Sequence, residues 1–83
     1  YIVARFEEIG LRAPLVGRLQ PWAAQGRTPQ GPKTFNGVNI LGMVPGTRVG
    51  DRWIVVTAHY DHVGVANGQI HNGADDNASG VAT

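Results

Sequence analysis

The first apolar positions of the chain repeat with the period of a helix. Ile2, Phe6 and Ile9 fall on one face of such a helix. Gly10 follows at the position of a C-terminal cap, which lets Leu11 fold back on Phe6. The pattern therefore predicts a short packing helix that ends at Gly10.

Strand patterns follow this helix. Residues 15–20 are a candidate first strand, whereas residues 25–37 are rich in Gly, Pro, Thr and Gln and predict a loop or wide turn. Residues 38–44 predict a further strand, interrupted by Gly42. Residues 53–58 are almost continuously apolar, which is typical of a strand buried on both faces of a sheet covered by helices. We therefore predict an α/β fold in which 53–58 is an interior strand of a mixed sheet, beside 38–44.

The last part of the chain carries turn signals and a helix start. Asn67–Gly68 and Asn72–Gly73 are turn dipeptides that flank a short loop. A helix is predicted to begin near Asp76 or Asn77, with one of the two as its cap.

Composition limits the kind of protein this chain is. Its 83 residues make at most one small domain, and without cysteine it has neither disulfides nor a cysteine-type zinc site. All seven lysines and arginines are scattered through residues 1–58, which gives no nucleic-acid footprint. No apolar run has the length of a membrane span. Residues 59–83 hold three aspartates and no lysine or arginine. The negative charge of such a segment is poorly compensated unless a cation binds.

A histidine and an aspartate stand directly after the apolar run. In open α/β sheets, ligands bind beyond the carboxyl ends of the strands, where His59 and Asp61 are placed. Alternation along an extended strand end puts both on the same side. The spacing allows two arrangements: both side chains bind one metal, or Asp61 orients the His59 ring.

The His59-x-Asp61 pair and the loop 72–80, which opens a helix, resemble the zinc aminopeptidases of metallopeptidase family 28. The match is close over residues 53–64 and 72–80 and weaker over the rest of the chain. The resemblance implies a truncated part of a mixed, mostly parallel sheet covered by helices, of the zinc exopeptidase (phosphorylase/hydrolase-like) type. It also implies a secreted or periplasmic enzyme that removes N-terminal residues from peptide substrates.

The same resemblance implies roles for individual residues. His59 would be a zinc ligand, Asp61 the catalytic residue that orients it, and Asp75 the carboxylate that bridges two zinc ions. The peptide bond between Asp75 and Asp76 would be cis. Asp76 and Asn77 are interpreted as helix caps rather than ligands.

Two further histidines are close to these residues in the sequence. In an extended segment His62 faces away from His59, which favours a hydrogen bond within the loop for it. His71 either lines the substrate pocket or is an exposed loop histidine.

No residue of this chain matches the family's catalytic base or its remaining zinc ligands. The family needs a Glu-Glu pair, a further carboxylate ligand and a distant histidine, but the only glutamates here are Glu7 and Glu8, on the predicted first helix. We therefore expect residues 1–83 to be the N-terminal part of a catalytic domain, with the missing roles beyond Thr83. Such a chain alone is expected to be inactive and to self-associate through an exposed strand edge and apolar faces.

Two rival interpretations stay open. One is a non-catalytic structural or receptor-like relative, against which the retained His59, Asp61 and Asp75 argue. The other is a glutaminyl cyclase-like enzyme with one zinc ion, against which the paired Asp75–Asp76 argues mildly. A Glu-Glu pair after this segment would distinguish a peptidase from both.

Overall fold

The computed structural model of this protein describes residues 1–48 and 50–83. The chain divides into two compact units, Tyr1–Val49 and Gly50–Thr83. The first contains a helix and a long hairpin, and the second contains a short hairpin, a wide turn and a short helix. All the residues predicted to carry chemistry belong to the second unit.

Helix α1 spans Ile2–Glu8, in agreement with the apolar spacing. It ends in a Schellman motif, in which the Leu11 amide donates to the Phe6 carbonyl at 2.9 Å and the Gly10 amide to the Glu7 carbonyl at 3.1 Å. Gly10 permits this because its φ of +82° lies in the left-handed region that glycine adopts freely. The predicted cap at Gly10 is therefore confirmed.

Replacing Gly10 by alanine is expected to destabilise this helix end by about 1 kcal/mol, because an L-residue is disfavoured in the left-handed conformation. No atom of residues 1–48 and 50–83 lies within 4 Å of the added Cβ, so among these residues the cost comes from the backbone alone. Gly46→Ala is the matched control, since Gly46 has no positive φ and the nearest described atom to its added Cβ is the Arg48 carbonyl oxygen at 4.0 Å. Urea unfolding followed by far-ultraviolet circular dichroism compares the two variants, and equal losses would contradict this account of the cap.

A long antiparallel hairpin follows the helix. Strand β1 is Leu19–Thr28 and strand β2 is Gly31–Ile40, in a register that runs from Leu19 opposite Ile40 to Thr28 opposite Gly31. The Thr28 hydroxyl closes the two-residue loop, because it donates to the Gly31 carbonyl at 2.9 Å and accepts from the Gln30 amide at 3.3 Å.

This hairpin corrects two predictions from the sequence. Residues 25–37 are strand on both sides of a tight turn rather than a loop, and the first strand begins at Leu19 rather than at residue 15. In a two-stranded ladder each strand has a free edge, so Pro21 and Pro32 can occupy strand positions without breaking the pairing. The abundance of Gly and Pro was therefore a misleading signal here.

The glycines of the hairpin are covered by aromatic rings. The Trp22 ring lies where a Cβ on Gly37 would be, and the Phe35 ring lies 2.9 Å from the corresponding point on Gly26. An aromatic ring over a strand glycine shields its backbone, which offsets the missing side chain. Trp22 and Phe35 remain 45% and 41% exposed, so this packing is only partial.

Arg18 joins the hairpin to the end of α1. Its guanidinium donates to the carbonyls of Leu11 at 2.6 Å and Leu41 at 3.1 Å, and its Cζ lies 5.9 Å from the centre of the Phe6 ring. A backbone bridge between Arg12 and Met43 lies beside it, with N–O distances of 3.0 and 2.8 Å. The predicted strand 38–44 is thus represented by the end of β2 and this single bridge.

The second unit contains a short hairpin of β3, Gly64–Ala66, and β4, Gln69–His71. Asn67 and Gly68 form its turn with φ of +52° and +74°, as a type I′ turn requires. The turn signal at these two residues is confirmed. A wide turn at Ala74–Ala78 and helix α2 at Ser79–Ala82 complete the unit.

The predicted interior strand is not found. Residues 53–58 belong to no strand in the structure, and Ile54 and Val56 are 94% and 89% exposed. A run with apolar residues on both faces needs strands and helices around it, and residues 50–83 provide only the small β3–β4 hairpin. The mixed, mostly parallel sheet of the expected α/β fold therefore stays a prediction.

No side chain in the described part of the chain is fully enclosed, and large apolar residues such as Leu15 and Trp53 are open to solvent. The expected self-association is consistent with such a surface and stays a prediction. None of the helices within residues 1–48 and 50–83 has the length and apolar character that crossing a bilayer requires.

Candidate metal centre

Two segments of the second unit supply the candidate site. His59, Asp61 and His62 lie in the irregular segment after the apolar run, and Asp76 lies in the wide turn Ala74–Ala78. The turn is closed by the Ala78 amide, which donates to the Gly73 carbonyl at 3.2 Å. This turn brings the Asp76 carboxylate to the histidines.

The shortest contact between the two segments joins His59 and Asp76. His59 Nε2 lies 3.2 Å from Asp76 Oδ1. Two ligands of one zinc ion, each bound at ~2.0–2.2 Å in tetrahedral geometry, stand about 3.3–3.6 Å apart, close to the observed separation. The pair is therefore spaced as two neighbouring ligands of a single cation are.

The contacts of Nδ1, the other ring nitrogen of His59, indicate that Nε2 is the nitrogen available to bind a metal ion. His59 Nδ1 lies 3.0 Å from the main-chain carbonyl oxygen of Asp61 and 3.4 Å from its Oδ1. A carbonyl oxygen only accepts, so Nδ1 carries the proton and a neutral ring has its lone pair on Nε2. That lone pair then faces a carboxylate oxygen of Asp76, an arrangement that is favourable only with a cation or a proton between them.

The second oxygen of Asp76 faces another histidine. His62 Nδ1 lies 3.8 Å from Asp76 Oδ2, and the His62 ring centre lies 6.4 Å from that of His71. Each carboxylate oxygen of Asp76 thus faces a different imidazole. The prediction that His62 faces away from His59 is wrong, because the segment 59–62 is not regular strand and strict alternation does not apply to it.

The helix cap is Asn77. Its Oδ1 accepts from the Gly80 amide at 3.2 Å, while its own backbone is non-helical. One of the two predicted caps is confirmed, and the other residue, Asp76, is left to face the histidines.

Asp75 makes different contacts from Asp76. Its carbonyl accepts from the Ser79 hydroxyl at 3.4 Å, and no ion pair within 4.0 Å is found for its side chain among residues 50–83. Asp75 as the bridging ligand stays a prediction, with Asp76 favoured by geometry. The cis peptide bond joins Asp76 to Asn77, one residue later than predicted.

Donor type and charge fit a divalent cation, but the donor set is incomplete. Within residues 1–48 and 50–83 no group of three or more His, Asp or Glu side chains is arranged to hold a metal ion. Residues 50–83 contain no glutamate. The imidazole of His59 and the carboxylate of Asp76 would therefore supply two ligands, where zinc takes about three or four from the protein.

A family model described as Peptidase family M28 matches residues 39–83, which are 45 of the 83 residues. The chain belongs to peptidase family M28. The matched segment includes His59, Asp61, Asp75 and Asp76, so the resemblance inferred from these residues is confirmed. A comparison with curated proteins and another with solved structures gave no match.

Membership in peptidase family M28 places the chain among hydrolases that cleave peptide bonds, a family whose members are generally metallopeptidases. The site described above lies wholly inside the matched residues. Residues 1–38, with α1 and most of the long hairpin, lie outside the match.

The His59 tautomer gives a test that needs no metal. Asp61→Asn is expected to leave the proton on Nδ1, because the nearer acceptor at 3.0 Å is the main-chain carbonyl, which the substitution keeps. Long-range ¹H–¹⁵N NMR spectra of the imidazole distinguish the two tautomers. A transfer of the proton to Nε2 in this variant would show that the carboxylate, at 3.4 Å, is the group that orients the ring.

Proposed function

We propose that this chain is the zinc-binding N-terminal part of a zinc-dependent aminopeptidase, which releases N-terminal residues from peptides. The observation that carries the proposal is the 3.2 Å approach of His59 Nε2 to the Asp76 carboxylate, inside the segment that matches peptidase family M28. Zinc bound there would polarise the scissile carbonyl and make a water molecule more acidic.

The residues of the chain have separate tasks in this proposal. His59 supplies a neutral nitrogen ligand, and Asp61 keeps the ring in the required tautomer and orientation through Nδ1. Asp76 supplies an anionic oxygen towards His59, and its second oxygen lies on the side of His62. Its negative charge also offsets the positive charge of the cation.

The proton transfer from water needs a base that this segment lacks. In the proposed enzyme a glutamate takes that proton, and residues 50–83 contain none. Glu8 is paired with Arg5 on α1, which gives it a structural partner. We therefore propose that residues 1–83 bind the metal in part and that the base comes from elsewhere in the enzyme.

The test uses a longer gene product that contains this segment. It is expected to release the first residue from peptides with a free amine, to spare N-acetylated peptides, and to lose activity with a chelator and regain it with zinc. Cleavage of internal bonds in N-acetylated peptides would contradict the aminopeptidase assignment. Cyclisation of N-terminal glutamine without hydrolysis would favour the glutaminyl cyclase-like rival.

A further inference from the structure

His62 is the least exposed side chain of the cluster. Its side chain is 23% exposed, against 52% for His59, 73% for Asp76 and 92% for Asp61. A residue at the centre of a cluster is restrained by its neighbours, so its position affects theirs.

The His62 side chain packs directly on the backbone of Gly73. A Cβ added to Gly73 would lie 2.6 Å from both Cβ and Cγ of His62 and 3.0 Å from the Asp76 carbonyl oxygen. Gly73 also has a φ of +69°, at the entry to the turn that carries Asp76. Only glycine can adopt this φ freely and leave room for the His62 side chain, so the Gly73 backbone and His62 are in direct contact.

The same histidine directs a nitrogen to Asp76. Nδ1 of His62 is 3.8 Å from Asp76 Oδ2, on the opposite side of the carboxylate from His59. The carboxylate therefore lies between two imidazoles, one of which is fixed against Gly73.

We propose that His62 is a positioning residue, which holds the Gly73–Asp76 turn and the Asp76 carboxylate in place to bind a divalent cation together with His59. The inference rests on the proposed function, because it assumes that His59 and Asp76 bind a cation. His62 acts through Asp76 and does not itself bind the metal.

The test is zinc affinity of the 83-residue chain, measured by isothermal titration calorimetry. His62→Leu keeps the bulk against Gly73 and removes the nitrogen, and we expect about tenfold weaker zinc binding, as for other residues that orient metal ligands. His62→Asn places its amide nitrogen where Nδ1 was and is expected to restore affinity to within about threefold of the wild type. His71→Leu is the matched control and is expected to bind as the wild type does, because the His71 ring centre lies 6.4 Å from that of His62 and His71 takes part in none of the ion pairs found within residues 50–83.

The outcomes separate this inference from the proposed function. If the wild-type chain binds zinc and His62→Leu binds equally well, the positioning role is overturned and the metal site stands. If His62→Asn is as weak as His62→Leu, the nitrogen is not the group that acts and the inference is overturned. If the wild-type chain binds no zinc, the positioning inference is overturned, whereas the proposed function is decided separately by the chelator and zinc assay of the longer gene product. Amide shifts of the β3–β4 hairpin, measured for every variant, show whether a loss of affinity reflects unfolding, and the comparison with the wild type is made with the His62 variant that keeps the hairpin.

Discussion

Replacing Asp76 by asparagine is expected to weaken zinc binding to this chain by at least about 100-fold, more than the loss of an orienting residue costs. The substitution removes the negative charge and one of the two donors that lie 3.2 Å apart. Isothermal titration calorimetry of the purified chain with zinc measures the effect directly.

Asp75→Asn is the matched control for this prediction. It makes the same change in charge one residue earlier, and its affinity is expected to stay within about threefold of the wild type, because an exposed charge nearby is screened by salt. The opposite ranking, with Asp75→Asn severe and Asp76→Asn mild, would restore Asp75 as the ligand and contradict the geometry of the turn.

The 83-residue chain with added zinc is expected to hydrolyse leucine p-nitroanilide at least about 100-fold more slowly than an active aminopeptidase of the family. Loss of general-base catalysis alone costs ~10²–10⁴-fold, and residues 50–83 contain no glutamate to act as the base. An incomplete donor set for the metal lowers the rate further.

An active family member assayed in the same zinc buffer is the control for this measurement. Turnover by the chain within about tenfold of that control would contradict the proposed division of roles, because it would require the base to lie within residues 1–83. His59→Ala would then show whether such turnover depends on the metal site.

Local signals in the sequence predicted the features that depend on a few adjacent residues. The cap at Gly10 and the turn at Asn67–Gly68 need only residues that adopt a positive φ. The cap at Asn77 needs only one hydrogen bond from its own side chain. Family membership followed from the residues around His59 and Asp76 for the same reason, since a motif is local in sequence.

Features that depend on more distant pairing were predicted poorly. The hairpin of β1 and β2 pairs residues as far apart as Leu19 and Ile40, and its Gly and Pro content favoured a loop when each segment was considered alone. The run 53–58 was assigned to a sheet by its apolar character, but burial depends on neighbours that residues 50–83 do not provide.

The choice between Asp75 and Asp76 could not be made from spacing. Both residues are acidic, adjacent and close to a helix start, and treating Asp76 as a cap removed it from the candidates. The hydrogen bond from the Gly80 amide shows that Asn77 has that role. A sequence signal was available, because asparagine is as good an N-cap as aspartate and directly follows the pair.

The central claim is that a cation binds between His59 Nε2 and the Asp76 carboxylate. A zinc titration of the ¹⁵N-labelled chain, followed at the imidazole nitrogens, tests it most directly. We predict that zinc shifts the His59 Nε2 resonance while Nδ1 keeps its proton and its bond to the Asp61 carbonyl. Loss of the His59 Nδ1 proton on addition of zinc, or a zinc-dependent shift at His71 with His59 unchanged, would contradict it.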